Sequence, residues 1–479
     1  MTSKPQPPRP QRSASRRPSP RLLTCLVLLL APAAVLLAAV ALAAPQDRVQ
    51  DPEIEDQTPQ ASDQPVELVL DRPDQRPLMR LAFPETEGLA RAGGDFGRAA
   101  RELDTVLRAD LEDTRIFDIQ GPWAFTTLTL TGERAHDFEQ YRALGNEILL
   151  VAEVKAEGDR LVLEGRVYDL ASGQAILAKR YRGPLTAGRR IAHTFADEVV
   201  RFVAGRRGIA QTRIAFTSTR TGERDKEVYV MDYDGAVQRQ VTAHRSTSMS
   251  PAWHPDGQIL GYTSFVGGAP GLYRAELATG RKRPLVTDGE QNISVSFSPD
   301  GRRIAFSRAL AGNSEVFVAD ADGGNLRRLT HSGAIDTSPA WSPTGSEIAF
   351  TSSRAGNPHV YVMDAEGTNV RRVSTTGNYN DGAAWGPEGD LLAYATRLRG
   401  DFDIAVTDLV SLATRVLTRG PGSHEEPTFS PDGRRIAFTS TRTGGKQVWV
   451  MDADGTHWKA LTGQGRNESP AWSPYPAGP

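Results

Sequence analysis

A repeat of about 44 residues fills the C-terminal half of the chain and constrains the fold more than any other feature. Each copy begins with an aromatic residue and a Pro-containing turn, followed by an apolar strand such as Ile304-Ala305-Phe306 and a third strand such as Val360–Asp364. A fourth strand ends in an apolar residue and Thr or Ser. Four short strands per ~44 residues is the period of a β-propeller blade. The aromatic positions, spaced by 44 residues four times and then by 43, are Trp253, Phe297, Trp341, Trp385, Phe429 and Trp472.

The two ends of the repeat array indicate how the ring closes. The array opens at Arg213–Ser218 with a second-strand pattern and ends with the missing first strand, 469–473. Six copies of each strand type are therefore present, and the last and first segments must share one blade. The sequence predicts an all-β, six-bladed β-propeller over 208–476, sealed by both ends so that no strand edge is left free.

Short Asp-Gly motifs in the repeats admit two interpretations. Asp232-x-Asp234-Gly235 and Asp452-x-Asp454-Gly455 look like fragments of a calcium-binding loop, but the later ligands of that loop are missing. We therefore predict turns, and we expect neither a metal nor another cofactor.

Residues 66–207 carry the mixed pattern of a small α/β domain. Helical spacing over Asp95–Leu111 and from Thr186 to Ala204 is combined with three successive strand patterns between Glu147 and Tyr181. His193 stands in the last helix without an evident partner, so we expect a structural role for it.

The N-terminus has the layout of a targeting segment. Residues 1–43 combine six basic residues, a long uncharged run and an Ala41-Leu42-Ala43 cleavage motif. This predicts an exported chain with a removable signal peptide; the run is also long enough for an uncleaved membrane anchor. Residues 44–65 are acidic and rich in Pro and Gln, which predicts a disordered linker.

Charge and cysteine content exclude several classes of function. Without residues 1–43, 50 basic residues stand against 58 acidic ones, a net charge of −8 that disfavours nucleic-acid binding. The single cysteine, Cys25, lies in the N-terminal run. Disulfides, thiolate metal sites and a cysteine nucleophile are therefore excluded for the processed chain.

The segments before the aromatic strands are the candidate binding surface. They occupy one position of the repeat, so they meet on one face around the channel, and they vary more between copies than the strands do. We predict that they bind a partner. The candidate residues are Gln291, Asn292, Ser294, Asp336, Thr337, Ser338, Asn380, Asp381, His424, Glu425 and Asn467.

The combination of an exported α/β domain and this propeller resembles the TolB family of the Tol-Pal system. The helix 190–199, the propeller entry at 212–216 and the end at 469–475 carry the resemblance, as does the strand-like segment with Val66, Leu68, Leu70 and Asp71. The resemblance implies a non-enzymatic periplasmic protein. It would bind the peptidoglycan-associated lipoprotein (Pal) through the propeller face and TolA through the N-terminal region, and would support outer-membrane integrity and cell division.

Two features depart from the family pattern. The acidic linker places the 66–71 segment about 20 residues after the cleavage motif, and Gln291 replaces a common histidine, although Asn292 and Thr337 match. Two other classes stay open: a propeller enzyme acting on a periplasmic peptide or sugar, with Asp336, Asp381, Glu425, Glu426 and Glu468 as its carboxylates, and a membrane-anchored sensor. No hydrolase, zinc-protease or nucleotide-binding motif accompanies them.

Overall fold

The N-terminal domain is one mixed sheet with helices on both faces. The computed structural model of the chain describes residues 52–57, 78–131, 134–222, 225–398 and 400–476. The predicted signal peptide and the 66–71 segment lie outside these ranges. The elements of the domain are β1 (Glu53–Asp56), β2 (Met79–Ala82), α1 (Gly94–Asp113), β3 (Phe117–Gln120), α2 (Arg134–Ala143), β4 (Ile148–Glu157), β5 (Arg160–Asp169), β6 (Gln174–Pro184) and α3 (Gly188–Ala204).

Alternating side chains divide the sheet, of order β1-β6-β5-β4-β2-β3, into two packed faces. Leu150, Ala152 and Leu163 pack with the apolar stripes of α1 and α3 in the main core. On the other face, Leu149 and Tyr168 pack with side chains from α2 and from the single-turn 3-10 helix Pro122–Phe125. The sequence-predicted helices and the three long strands are all present.

β1 corrects part of the predicted linker. Glu53–Asp56 is a strand, paired antiparallel with β6, and not a disordered segment. The Lys179 ammonium lies 2.6 Å from Asp56. The Arg180 guanidinium lies 3.3 Å from Glu55, and the Arg182 guanidinium lies 3.3 Å from Glu53. Acidic composition predicts disorder in an isolated segment. Here the acidic side chains form ion pairs with a row of basic side chains on β6.

Residues from 213 onward form six four-stranded antiparallel sheets arranged as blades. Blade 1 contains β30 (Asn467–Trp472), β7 (Arg213–Ser218), β8 (Glu227–Asp232) and β9 (Arg239–Gln240), which confirms the closure by both ends. Blades 2 and 3 contain β10 (Ser248–Trp253), β11 (Ile259–Gly267), β12 (Ala269–Glu276), β13 (Lys282–Val286), β14 (Gln291–Phe297), β15 (Arg303–Leu310), β16 (Asn313–Asp320) and β17 (Arg327–Arg328).

Blades 4 to 6 repeat the same order of strands. Blade 4 contains β18 (Asp336–Trp341), β19 (Glu347–Ser352), β20 (His359–Asp364) and β21 (Arg371–Arg372). Blades 5 and 6 contain β22 (Asn380–Trp385), β23 (Leu391–Arg397), β24 (Phe402–Asp408), β25 (Thr414–Val416), β26 (His424–Phe429), β27 (Arg435–Ser440), β28 (Gln447–Asp452) and β29 (Lys459–Ala460). No helix within the described ranges is both long and apolar enough to cross a bilayer.

The repeated aromatic residues join neighbouring blades. Trp385 of blade 5 packs in one cluster with Val360 and Val362 of blade 4, and its indole N–H donates to the Ala340 carbonyl at 3.0 Å. Trp253 makes the equivalent 2.9 Å bond to Ala471. Each aromatic residue thus fills the gap between two sheets, as the repeat position predicts.

The turns have the predicted local chemistry. Gly301 has φ +70° and its N–H donates to the Ser298 carbonyl at 2.9 Å, which closes the Ser-Pro-Asp-Gly turn. In the Asp-x-Asp-Gly segment, Asp234 Oδ1 accepts from the Ala236 N–H at 3.0 Å, and Gly235 has φ +94°. These segments are therefore turns. No cluster of three or more potential metal-binding side chains occurs among the described residues.

Candidate functional site

The two ends of the propeller differ, because the described residues of the N-terminal domain pack against one of them. We call the end formed by the entries to the first strands and the hairpins between second and third strands the loop face, and the other end the turn face. On the turn face, Arg206 contacts Asp432 at 3.1 Å and Arg189 contacts Asp234 at 2.7 Å. Arg435 forms a further ion pair with Asp113 of α1. None of these contacts reaches the loop face.

A ring of strained residues lines the channel at the loop face. In each first strand, the residue three positions before the repeated aromatic has a positive φ between 51° and 67°, at a β-bulge where the register with the second strand shifts. Together with the residues that follow, they enclose a cavity of about 220 Å³. The six residues are Ser250, Ser294, Ser338, Gly382, Glu426 and Ser469.

Glu426 has the only charged side chain among these six residues, and it closes the ring by hydrogen bonds. Its Oε2 accepts from the Ser469 N–H and from the Thr439 hydroxyl, both at 2.7 Å, and its Oε1 accepts from the Ser469 hydroxyl at 2.8 Å. The carboxylate thereby links blade 6 to blade 1.

The neighbouring carboxylates are paired with lysines. The Lys446 ammonium lies 3.6 Å from Glu425 and 3.5 Å from Glu468, and Lys226 also pairs with Glu468. Burial raises the pKa of Glu425, against the opposing charge of Lys446. These contacts connect blades 6 and 1 around the channel mouth and give the carboxylates a structural role.

Five of the predicted binding residues are buried, so their contact with a partner stays a prediction. Each lies five residues before the repeated aromatic of its first strand, and its side chain bonds to its own blade, to the preceding blade or to the loop between them. The Asn380 side-chain amide lies 2.9 Å from His359 Nδ1, and Asp336 accepts from Arg354 at 3.1 Å. The five side chains are exposed by 1% or less and hold the loops in this structure; they are Asn292, Asp336, Asn380, His424 and Asn467.

The remaining candidates are half-buried and accessible at the channel mouth. Thr337 lies on β18 opposite Thr351, one residue before the strained Ser338. Asp381 accepts from the Thr351 hydroxyl at 2.7 Å, so its carboxylate is held between blades 4 and 5. The half-buried candidates are Gln291, Ser294, Thr337, Ser338, Asp381 and Glu425.

Sequence reasoning missed an apolar part of the loop face. Large apolar side chains are exposed there on blades 2 to 5, and Ile335 is 55% exposed. The signal was their place in the hairpins between second and third strands or, for Ile335, in the loop before a first strand, where other copies have polar residues. The exposed residues are Phe265, Val266, Leu310, Ile335 and Leu398.

Exposed arginines around blades 6 and 1 form the second missed part of the surface. Arg442 lies with its guanidinium 4.7 Å from the centre of the Trp458 ring. The exposed arginines are Arg245, Arg419, Arg442 and Arg466. Among the described residues, no carboxylate lies within ion-pair distance of any of these four. The loop face therefore carries exposed apolar side chains on blades 2 to 5 and exposed arginines around blades 6 and 1.

Comparisons with known proteins agree with this architecture. The family profile of the TolB beta propeller domain matches residues 200–476, and that of the TolB amino-terminal domain matches residues 78–176. The crystal structure of TolB from Acinetobacter baumannii is similar to this chain, with a TM-score of 0.70 at 23% identity. The superposition covers 89% of this chain and all of the Acinetobacter chain. This structural similarity shows the fold.

Curated relatives match over part of their length. The TolB homolog of Chlorobium chlorochromatii is 34% identical over 191 residues, which are 40% of this chain and 43% of that protein. The Tol-Pal system protein TolB of Geobacter sulfurreducens is 39% identical over 168 residues, which are 35% of this chain and 38% of that protein. The matched stretch thus spans less than half of these relatives. Because the propeller profile covers more than half of the chain, the chain belongs to the TolB family of non-enzymatic Tol-Pal system components.

Proposed function

We propose that this chain is the periplasmic scaffold of a Tol-Pal system, which binds Pal through the loop face and TolA through the N-terminal segment around Val66–Asp71. It would be exported by its N-terminal segment and would help to maintain the outer membrane and its constriction at division. The observation that carries the proposal is the free loop face: the N-terminal domain contacts the opposite end, so a folded partner has access to the channel mouth.

The loop face suits a partner with both apolar and acidic side chains. The apolar side chains of blades 2 to 5 would be removed from water on binding. The four exposed arginines would pair with carboxylates of the partner, which mainly increases specificity and the association rate. The carboxylates of Glu425 and Glu468 do not require a basic residue on the partner, because Lys446 and Lys226 already neutralise them.

A pair of arginine substitutions on opposite ends tests the binding face. Thr337→Arg places a bulky cation at the channel mouth and is expected to weaken Pal binding at least ~10-fold, or ~1.4 kcal/mol. Ala321→Arg adds the same side chain to a turn at the other end and should leave the affinity unchanged. Affinities would be measured by calorimetry with purified Pal, and the melting temperature of each variant would verify folding.

The results separate the binding face from the function. If both variants weaken binding equally, or if neither does, the loop face is not the binding surface. If the unmodified chain does not bind Pal, the proposed function itself fails. Arg442→Glu tests the electrostatic part: it should slow association at low salt and have a smaller effect at high salt.

A further inference from the structure

The N-terminal domain contains a cavity that the proposed function does not use. It lies on the sheet face opposite α1 and α3, between β4, β5, α2 and the 3-10 helix Pro122–Phe125, and has a volume of about 670 Å³. Pockets that bind small molecules or single side chains of peptides fall in this size range.

Aromatic side chains form the floor and one wall of this cavity. Phe125 and Tyr141 meet edge to face with their ring centres 5.1 Å apart, and Phe138 lies 5.0 Å from Tyr168. Phe125, Tyr141 and Tyr168 are buried, so the floor is held by the core of the domain. The floor is therefore fixed before any ligand arrives.

Trp123 stands at the mouth of the cavity and is 76% exposed. The other six tryptophans are buried or half-buried. Leu130, also at the mouth, is exposed by 52%. Tryptophan is among the side chains that gain most from being covered, and the pair leaves an apolar rim open to solvent.

The charge at the cavity is predominantly negative. Among the described side chains that line it, Glu85, Glu87 and Asp137 carry carboxylates and Arg166 carries the one cation, which itself contacts Glu164 at 3.5 Å. Burial, and then the charges of Asp137 and Glu87, raise the pKa of the Tyr141 hydroxyl. Negative potential therefore reaches the aromatic floor.

We propose that this cavity binds a lysine or arginine side chain presented by an extended peptide segment of a partner. The cation would lie against the Trp123 ring and beside Glu85 and Glu87, where attraction to the ring face and to the carboxylates act together. An apolar neighbour in the peptide would cover Leu130. An acidic peptide would be repelled, and a neutral one would gain only the apolar contact.

Three matched peptides provide the direct test. Ac-Leu-Lys-Leu-NH2, Ac-Leu-Gln-Leu-NH2 and Ac-Leu-Glu-Leu-NH2 would be titrated into the full chain, with binding followed by calorimetry and by tryptophan fluorescence. We expect the lysine peptide to bind most tightly and the glutamate peptide least. Equal binding of all three, or no binding of the lysine peptide at millimolar concentration, would overturn the proposal.

Variants assign the binding to the cavity. Glu85→Gln with Glu87→Gln should weaken the lysine peptide about fivefold and leave the glutamine peptide unchanged. Trp123→Ala should weaken both peptides. Asp159→Asn, which neutralises an almost fully exposed carboxylate in the β4–β5 hairpin, is the control and should change neither. An unchanged lysine affinity in the double variant, with an unchanged melting temperature, would show that the cavity is not the site.

Discussion

At the residue scale, a buried charge network around His193 joins the two domains. His193 Nδ1 lies 2.7 Å from Asp110 of α1, and its Nε2 lies 3.8 Å from Asp232 of blade 1. Asp110 also accepts from the Tyr233 hydroxyl at 2.8 Å, and Arg189 lies 3.4 Å from the imidazole. Burial opposes protonation of His193, but its hydrogen bond to Asp110 and the negative charges of Asp110 and Asp232 outweigh burial and raise its pKa to about 9.

This network predicts a pH-dependent stability. A group whose pKa rises on folding contributes stability that is fully present below its unfolded pKa, near 6.5, and lost as the pH rises through about 9. The contribution is at most about 3 kcal/mol. We expect the unmodified chain to lose more stability between pH 6.5 and 9 than His193→Gln, as measured by thermal unfolding. Parallel pH profiles of the two proteins would contradict a charged His193.

His193 also shows what the sequence leaves out at this scale. Its structural role was expected, but its partners were not, because Asp110 and Asp232 are distant in the chain. The buried first-strand residues could have been recognised. The position five residues before each aromatic is polar in all six copies, from Ser248 to Asn467, which is more typical of a repeated internal bond than of a variable contact.

At the scale of secondary structure, β1 is held to the sheet by charge. All four of its residues are exposed, so little apolar burial accompanies the pairing with β6. Lys179, Arg180 and Arg182 supply the attraction, and the Gln57 N–H donates to the Ala178 carbonyl at 2.8 Å. The composition of this segment alone predicted disorder, because the basic side chains of β6 that bind it lie more than 120 residues away in the sequence.

Charge reversal in β1 should release the strand without unfolding the domain. We expect Glu55→Lys with Asp56→Lys to abolish hydrogen-exchange protection of the Gln57 amide and to change the melting temperature only slightly, because β1 is an exposed edge strand that buries little apolar surface. Glu102→Lys with Glu112→Lys makes the same charge change on the exposed surface of α1 and should leave this amide protected. Protection that survives the β1 reversal would mean that backbone pairing alone holds the strand.

At the scale of the whole molecule, periodicity determined how much could be predicted. Blade number, strand order and ring closure follow from six copies of one pattern, because each blade can bury its apolar faces only against its neighbours. The surface chemistry of the loop face does not repeat. The exposed Ile335 and the arginines of blades 6 and 1 differ from copy to copy, so only the assembled ring shows which of these side chains share the loop face.

Ring closure by blade 1 makes the last strand essential to the entire propeller. β30 pairs with β7 along one edge, and Trp472, which is 7% exposed, packs against Val448 and Val450 of blade 6 and donates to the Thr212 hydroxyl at 2.9 Å.

Deletion of residues 469–479 would remove most of this strand and expose the edge of β7. We expect a single large fall in the melting temperature, with loss of hydrogen-exchange protection in all six blades. Trp472→Ala should cost ~3–5 kcal/mol, whereas removal of residues 477–479 alone should have no effect. Because blades 6 and 1 also carry the contacts to the N-terminal domain, the deletion should loosen Arg435 and Asp113 as well. If the deletion variant melts like the full chain, or if exchange increases only in blade 1, the blades are stable independently and closure does not govern the stability of the ring.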